Sequence, residues 1–444
     1  GLRRSPGATQ RLLRAAVGGD PAVRAAALRV LRDTAQPEDV PALVGILRRT
    51  PAGVRDDVLA ALSQAARRGE NEEQRSGALL QGLAESDAPA DRADLLAVLG
   101  EVGGPQALEA LRSGLRDAAP EVRLAALVRL AEWPTDEPMD DLLRAAREAA
   151  DPRERSLALR GWIRLIPLRP GRPIRETLGL LAQAAEKAAG PEEKRLVLAG
   201  LAGVPSLEAL DRAEFFLNDE SVRAEAEVAA VGIGRALLGA SPERVRPLLE
   251  RIARRPATEE AGRRAAAALK LADRLGDFLA AWEASPAYAR EGADWQALLD
   301  IPFPPEDPAQ EAQVDWRVMP VGTNPDQPWL LDLLALHGGE QRVAYLRTAV
   351  WSDAARDAVL ELGSDDGIKA WWNGSEVLSH SVPRAAAPAQ EKVRVALRPG
   401  WNRLLLKVTQ YVLGWGAVAR LANPDGSPLP GLRAALPSRL PPSP

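Results

Sequence analysis

The sequence predicts two kinds of structure in one chain, an all-helical array followed by an antiparallel β-sandwich. The first 300 of the 444 residues are rich in Ala, Leu and Arg, with apolar residues at helical spacing. A short pattern recurs in that part, whereas period-two alternation and seven of the eleven tryptophans lie after residue 300. Stacked helical repeats and a sandwich each bury a core of their own, so we expect a multidomain α plus β chain.

Eight copies of a twelve-residue pattern predict the array, and "DPAVRAAALRVL" from Asp20 is a clear example. Most copies open with an Asp or Pro that favours the first turn of a helix. An apolar residue follows the shared arginine by three positions, one turn along the same helix face. The arginines are Arg24, Arg55, Arg92, Arg123, Arg155, Arg195, Arg223 and Arg263, and their apolar followers are Ala27, Val58, Leu95, Ala126, Ala158, Leu198, Ala226 and Ala266. One helix pair for about every 30–40 residues is typical of an α-solenoid, here of about eight pairs over residues 1–299.

The pattern D-x-x-V-R-x-x-A resembles the short bacterial kind of HEAT-like repeat. Residues 20–27 and 219–226 match it in full, and the copies that begin at residues 51, 191 and 259 match loosely. In such repeats the Asp caps the second helix and the Arg ties neighbouring repeats, so we expect both to be structural. The resemblance implies a surface that binds other proteins. The 57 basic and 61 acidic residues nearly balance, which gives no general attraction to nucleic acid.

The composition changes near residue 300. The stretch "DIPFPPEDPAQEAQV" (300–314) predicts an extended, proline-rich linker. Strand-like runs such as "QRVAYLRTAVW" and "WNRLLLKVTQ", bounded by Gly, Pro, Asn and Asp, then predict a β-sandwich of six or more strands over residues 315–433. The proline-rich tail, residues 434–444, is expected to be extended and mobile.

The fifteen residues "GSDDGIKAWWNGSEV" (363–377) are typical of a turn, a strand and a hairpin turn. Asp365 and Asp366 precede a Gly and suit the first turn, and the Asn-Gly pair predicts a type I′ hairpin. Alternation along the strand places Ile368, Ala370 and Trp372 on one face, and Lys369, Trp371 and Asn373 on the other. We expect the turn residues to be structural, because each already has a local role.

Trp371 has no such local role. A large aromatic on the outer face predicts either docking against the helical array, with Lys369 meeting acidic helices, or a platform that stacks on a sugar. We favour docking.

Residues 310–433 resemble the galactose-binding-like, jelly-roll β-sandwich module appended to many bacterial extracytoplasmic proteins, in the version common in planctomycete-type multidomain proteins. The motifs that carry the resemblance are Ser364–Gly367, Trp371 with Asn373-Gly374, Gly400–Val408, Gly414–Gly416 and Pro424–Gly426. The sequence departs from the pattern at Trp372, where an aliphatic residue is usual, and at Asn423. Related modules bind sugars, bind proteins or cap a neighbour.

The candidate ligand-binding residues are few. Trp371, Lys369 and Tyr411 are the candidates for contact with carbohydrate. Because related sandwiches hold calcium through turn carboxylates, a structural calcium ion is an alternative to no cofactor at all. Its ligands would be Asp365, Asp366 and Asp425.

Composition excludes whole classes of chemistry. With no Cys and only two His, the chain has no thiol nucleophile, disulfide, iron–sulfur cluster, Cys-type zinc site or covalently attached haem. The dipeptide Ser379-His380 lacks the strand-turn-helix setting and the placed acid of a nucleophilic site. No apolar run reaches the roughly 18 residues of a membrane span. A chain that begins at Gly1 without a signal segment is expected to be a processed protein or a fragment.

We therefore expect no enzymatic activity in this chain. The function predicted is a protein-interaction scaffold, or a subunit of a larger periplasmic or secreted assembly. The alternative is an accessory carbohydrate-binding chain or the C-terminal fragment of a larger secreted enzyme, and the sequence before Gly1 would discriminate between them.

Overall fold

Helices form the N-terminal part of the chain and antiparallel sheets the C-terminal part, in a computed structural model that describes residues 7–18, 20–51, 55–169 and 171–440. The predicted fold class is confirmed. The chain divides into two units, residues 1–170 and residues 171–444. The second unit contains helix pairs as well as the sheets, so the predicted division at residue 300 does not coincide with this one.

Five helix pairs make up the described part of the first unit. The helices are α1 Ala8–Ala16, α2 Pro21–Thr34, α3 Val40–Leu47, α4 Asp56–Arg67, α5 Ala78–Ala84, α6 Pro89–Val102, α7 Pro105–Gly114, α8 Pro120–Ala131, α9 Met139–Glu148 and α10 Pro152–Leu165. Each odd-numbered helix packs against the even-numbered helix that follows, and successive even-numbered helices pack against one another. This stacking is the solenoid arrangement that the repeat predicts.

Three more pairs open the second unit. They are α11 Ile174–Lys187, α12 Pro191–Ala202, α13 Leu207–Phe215, α14 Arg223–Leu237, α15 Pro242–Arg254 and α16 Glu259–Arg274. Each of the eight copies of the sequence pattern leads into an even-numbered helix. Within the second copy of the pattern, residues 52–54 lie outside the described residues.

The apolar followers of the motif arginines form the core of the array. Seven of the eight are buried, as the alignment of the copies predicts. Ala266 in the last copy is only half-buried, and its neighbours Ala265 and Ala268 are buried in its place. The weakest copy is therefore out of register with the others.

Eleven strands form two antiparallel sheets in the described part of the second unit. They are β1 Glu283–Ala284, β2 Arg317–Val318, β3 Leu331–Asp332, β4 Arg342–Ser352, β5 Arg356–Asp365, β6 Ile368–Trp372, β7 Ser375–His380, β8 Glu391–Leu397, β9 Gly400–Gln410, β10 Gly416–Ala422 and β11 Arg433–Ala435. The large sheet has the order β2-β1-β4-β9-β6-β7, with β11 also paired to β4, and the small sheet has the order β3-β10-β5-β8. A single hydrophobic core contains residues of both sheets.

The β6–β7 hairpin follows the prediction from sequence. Ile368, Ala370 and Trp372 are buried in the core between the sheets. Asn373 has φ 50° and Gly374 has φ 85°, as a type I′ turn requires.

The proline-rich segment differs from the predicted extended linker. Three short helices occupy this region: α17 Trp295–Asp300, a 3₁₀ turn at Pro304–Glu306 and α18 Pro308–Glu311. Residues 300–311, which we call the strap, cross the outer face of the large sheet and contribute carboxylates to basic side chains on that face. Lys407 is the fully buried cation of the three, and a buried cation needs such a partner.

The sandwich also begins earlier than predicted and holds its tail in place. Trp282 is buried in the sandwich core, and β1 beside it pairs with β4. At the other end, β11 pairs with β4, and Arg439 of the turn after it hydrogen-bonds Ser241. The tail up to residue 440 is therefore docked rather than mobile, while residues 441–444 lie outside the described residues.

Helix α14 and the segment after α16 contact the sandwich directly. The Leu279 N–H donates to the Ala419 carbonyl at 2.9 Å, and the Arg235 guanidinium donates to the Gly322 carbonyl at 2.6 Å. A short helix, α19 (Leu333–His337), precedes β4. Among the helices of the described residues, none is long and apolar enough to cross a membrane.

Candidate functional site

Some motif arginines tie neighbouring repeats together, as the HEAT-like resemblance implies: Arg55, Arg92, Arg123 and Arg195. In the first unit, the Arg55 guanidinium lies 2.7 Å from a carboxylate oxygen of Asp91 in the next repeat. Arg123 reaches Glu154 of the following repeat at 3.2 Å. Asp91 and Glu154 are themselves buried, so each tie satisfies a carboxylate that would otherwise be costly. Arg55 and Arg123 therefore hold adjacent repeats together.

A groove of about 610 Å³ lies along the contacts of α8, α9 and α10 in the first unit. Its lining combines apolar and charged side chains: Leu115, Leu127, Ala145, Ala149, Ala150, Arg116, Arg123, Arg144, Asp141, Glu148 and Glu154. Arg123 pairs with Glu154, and Asp141 pairs with Arg112 and, at 3.7 Å, with Arg144. An apolar floor with a charged rim is the composition of a protein-binding surface.

A second cavity, of about 280 Å³, lies between the strap and the outer face of the large sheet. We call it the Trp371 cavity. The apolar part of its lining is Trp371, Leu404, Leu405, Pro305, Pro308 and Pro437, and the charged part is Glu306, Glu311, Arg347 and Arg403. An aromatic side chain beside charged groups that can donate and accept hydrogen bonds suits a small polar ligand with an apolar face.

Lys407 anchors the strap next to this cavity. Its ammonium group is fully buried and donates to the Ile301 carbonyl at 2.6 Å and to the Glu306 carboxylate at 2.8 Å. Burial lowers the pKa of Lys407, and the Glu306 carboxylate opposes that shift. The Tyr345 hydroxyl donates to the same carboxylate, and burial raises the pKa of Tyr345. The three side chains form a closed polar cluster without a free nucleophile.

Arg347 fixes the other end of the strap. Its guanidinium lies 2.8 Å from both Glu311 of the strap and Glu283 of β1, and 4.0 Å from the centre of the Trp316 ring. The cavity wall is therefore held by ion pairs at two points, Lys407–Glu306 and Arg347–Glu311. These residues were not predicted from the sequence. The sequence feature that could have identified Lys407 is its position inside the apolar run "LLLKV".

Lys369 and Tyr411 lie outside the lining of the Trp371 cavity. The Lys369 ammonium pairs with Asp300 at the start of the strap, at 3.2 Å, and not with the repeat helices as predicted. Tyr411 is partly exposed after β9, with its ring centre 5.8 Å from that of Trp295. Trp371 itself lines a cavity under the strap, so the strap rather than the helical array covers this face.

The three predicted calcium ligands do not form one cluster. The buried Asp366 carboxylate accepts the N–H groups of Arg384 and Tyr411, at 3.0 and 2.7 Å. Asp425 accepts the N–H and hydroxyl of Ser427 in a separate exposed turn. Within the described residues, no group of three or more His, Cys, Asp or Glu side chains is placed to hold a metal ion.

Asp365 has an unusual environment. Burial, together with the adjacent Asp366 carboxylate, raises the pKa of Asp365 to about 6. A Cβ added at Gly414 would lie 2.2 Å from one of its carboxylate oxygens, so the loop after β9 lies directly against it.

Ser379 and His380 do not form a nucleophilic pair. His380 hydrogen-bonds Glu391 through Nδ1 at 2.7 Å, and Arg384 bonds the same carboxylate at 2.7 Å. Neighbours in a strand point to opposite faces, so Ser379 is directed away from this group. The cluster ties β7 to β8.

Comparison with known proteins supports the repeat assignment. Residues 77–161 match the family described as HEAT repeats. No curated protein matches the sequence. Human deoxyhypusine hydroxylase in complex with glycerol is 19% identical over 60% of this chain and 96% of its own, with a TM-score of 0.25. An engineered protein is 17% identical over 51% of this chain and 96% of its own, with a TM-score of 0.23.

A third solved structure is similar over a larger share of the chain. Pseudomonas fluorescens alkylpurine DNA glycosylase AlkC, bound to DNA containing an abasic site analog, is 14% identical over 91% of this chain and 99% of its own. Its TM-score is 0.25. At TM-scores this low, none of the three structures bears on the function of this chain.

Proposed function

We propose that the chain is a non-catalytic protein-interaction scaffold, a subunit of a larger extracytoplasmic assembly, which binds a partner protein along its helical array. The observation that carries the proposal is the groove of α8, α9 and α10, because it lies within residues 77–161, the part that matches HEAT repeats. Its apolar floor and charged rim fit a protein segment better than a small metabolite.

Photo-crosslinking tests this proposal. A benzoylphenylalanine side chain replaces Arg144 at the groove rim, and the matched control replaces Glu109, which is exposed on α7 and is not part of the groove lining. In cells of the source organism, the residue 144 probe is expected to give a discrete crosslink to one protein that the residue 109 probe does not give. Identical crosslinking patterns from the two positions would contradict binding in the groove.

The location and the type of sandwich belong to the same proposal. The motifs between residues 364 and 426 support a galactose-binding-like, jelly-roll sandwich of the kind appended to extracytoplasmic proteins. Fractionation of the source cells with an antibody to the native chain tests the location. Recovery in the cytoplasmic fraction would contradict it.

Carbohydrate binding by the sandwich is a second candidate function, and the Trp371 cavity is the observation that favours it. Trp371 offers an aromatic face, and Arg403 and Glu311 in the same lining can hydrogen-bond hydroxyl groups. The volume of about 280 Å³ is at the small end for ligand pockets, which fits a single sugar ring better than a long chain.

A glycan array probed with the full chain tests this second candidate. Trp371→Ala is expected to abolish any reproducible binding, because it removes the only tryptophan in the described cavity lining. Tyr411→Ala is the matched control, since Tyr411 is an aromatic on the same sandwich outside that lining. Binding that survives Trp371→Ala, or no binding to any glycan, would contradict this function.

A further inference from the structure

A groove of about 440 Å³ lies between α14, α16 and the loop that joins β2 to β3, all within the second unit. The residues that line it recur at helical spacing, so one face of each helix borders the groove. The lining is Val228, Val231, Gly232 and Arg235 of α14, Arg264, Ala267, Ala268, Lys270, Leu271 and Arg274 of α16, and Gly322 and Pro325 of the loop. Two successive repeats and the sandwich therefore enclose it together.

The floor of this groove is apolar and open. Val231 and Leu271 are buried, whereas Gly232 and Ala267 are exposed. A Cβ added at Gly232 would meet no atom within 4 Å. Glycine inside a helix is less favourable than alanine, yet here it leaves open space above α14. An apolar side chain of a ligand can enter that space.

The charges in the lining all have one sign. Four of its side chains are basic, Arg235, Arg264, Lys270 and Arg274, and none of its described residues is Asp or Glu. The groove of α8 to α10, by contrast, is lined by residues of both signs. Because the whole chain has a formal net charge of −4, the positive charge here is a local excess.

Most of this positive charge is not neutralised by the protein itself. Of the four basic side chains, Arg264 pairs with Glu260 at 2.6 Å, and the other three form no ion pair with any described residue. The Arg235 guanidinium donates to a backbone carbonyl of the loop, which is an uncharged acceptor. Arg235, Lys270 and Arg274 thus remain as cations beside an apolar floor, and a ligand of complementary charge would carry carboxylates or phosphates.

We propose that this groove binds a short acidic segment of a partner protein, in which apolar side chains lie between carboxylates. The apolar side chains cover Gly232 and Ala267, and the carboxylates pair with Arg235, Lys270 and Arg274. Residues 264–274 follow about 15 Å of helix, which about five residues of an extended segment span.

The floor favours a protein segment over nucleic acid. A nucleic acid would meet the cations through its phosphates, but it has no aliphatic side chain to place over Gly232. The groove is also separate from that of α8 to α10 and lies in the other unit. Loss of binding at one groove therefore leaves the proposal for the other unaffected.

Selection from random peptides tests the chemistry of the ligand. The full chain is used to select phage-displayed peptides of about 12 residues, longer than the groove requires. Peptides that also bind the Gly232→Trp variant are removed, because this change fills the floor without a clash at its Cβ. The remaining peptides are expected to combine Asp or Glu with Leu, Ile or Phe. Recovery of basic or uncharged peptides, or of none, would overturn the proposal.

Fluorescence anisotropy of the most enriched peptide then tests the cations. Lys270→Glu/Arg274→Glu is expected to weaken binding about tenfold or more. The matched control is Arg175→Glu/Lys187→Glu, which reverses one arginine and one lysine that are exposed on α11 and lie outside the lining. It changes the net charge equally and is expected to leave binding unchanged. Equal effects of the two double variants would contradict recognition by this groove.

Two further measurements complete the test. Gly179→Trp is the control for Gly232→Trp, because Gly179 is exposed on α11 and a Cβ added there also meets no atom within 4 Å. Both variants are expected to keep the melting temperature of wild type, and Gly179→Trp is expected to keep peptide binding. Loss of binding in both would contradict the proposal. A DNA duplex of random sequence is expected not to displace the peptide, and displacement would identify nucleic acid as the occupant instead.

Discussion

At the scale of single residues, charged side chains in the interior of this protein are held by specific partners. Asp366 accepts two backbone N–H groups, and Lys407 donates to Glu306 and a carbonyl. If the partner of a buried charged group is removed, the charge stays buried with nothing to pair with. The free-energy cost is then larger than the net stabilisation that the intact pair contributes. At Asp365, burial and the adjacent Asp366 carboxylate raise the pKa of the carboxyl group to about 6.

Stability at low pH should report on Asp365. Its pKa of about 6 in the folded chain exceeds its usual value, so the folded state favours the protonated carboxyl. That contribution is present at pH 4 and is lost as the pH rises through 6. The melting temperature of Asp365→Asn, relative to wild type, is therefore expected to rise between pH 4 and pH 7.

Asp425→Asn is the control for this measurement. The Ser427 hydroxyl and N–H lower the pKa of Asp425 below its usual value, so its contribution to stability is lost only in more acid solution, and its difference from wild type is expected to stay nearly constant between pH 4 and pH 7. A difference for Asp365→Asn that stays constant across this pH range would contradict the raised pKa.

Lys407 is expected to decide the stability of the strap. Lys407→Met leaves the Glu306 carboxylate without its buried cation, at a cost of about 3 kcal/mol in the free energy of unfolding. Lys369→Met is the control, because its partner Asp300 is exposed and such pairs contribute about 1 kcal/mol or less. Urea denaturation of the two variants measures both values, and equal costs would show that burial of Lys407 is not decisive.

At the scale of elements, the helices of the array depend on small buried residues at their contacts. Ala126 of α8 is fully buried. A Cβ added at Gly114 of α7 would lie 3.0 Å from the Cβ of Ala126, so the two helices are in close contact there. Ala126→Glu is expected to cost about 3 kcal/mol or more, because the new carboxylate is buried without a partner.

Leu124→Glu supplies the comparison on the same helix. Leu124 is exposed, so this change is expected to alter the free energy of unfolding by about 0.5 kcal/mol or less. Thermal unfolding followed by circular dichroism measures both. An unchanged melting temperature for Ala126→Glu would mean that the repeat alignment is wrong for this copy.

Elements set by local sequence were predictable, and elements set by distant partners were not. The β6–β7 hairpin follows from alternation and an Asn-Gly turn, both of which are local. The strap is held by Lys407, which lies 101 residues from Glu306 in the sequence. Local sequence does not show such a distant contact, so the proline content alone predicted a linker. The outward position of Trp371 follows from strand alternation, but the strap that covers Trp371 could not be predicted.

At the scale of the whole molecule, the helical repeats continue into the unit that holds the sandwich. Residues 171–444 form one unit with three helix pairs and both sheets. Sequence composition places the change of structure near residue 300, because the proline-rich stretch begins there and seven of the eleven tryptophans follow it. Trp282 and β1, which come before that point, nevertheless belong to the sandwich.

Truncated fragments can test whether the C-terminal unit begins at residue 171 or near residue 300. A fragment of residues 171–444 retains β1, Trp282 and the contacts of Leu279 with β10, and is expected to fold and melt cooperatively. A fragment of residues 300–444 lacks a strand of the large sheet and a fully buried tryptophan, whose loss alone costs about 3–5 kcal/mol when the side chain is truncated. It is expected to be unfolded or aggregated at room temperature, as judged by near-ultraviolet circular dichroism and gel filtration. Independent folding of the shorter fragment would show that the sandwich is complete from residue 300, and that the preceding segment only rests against it.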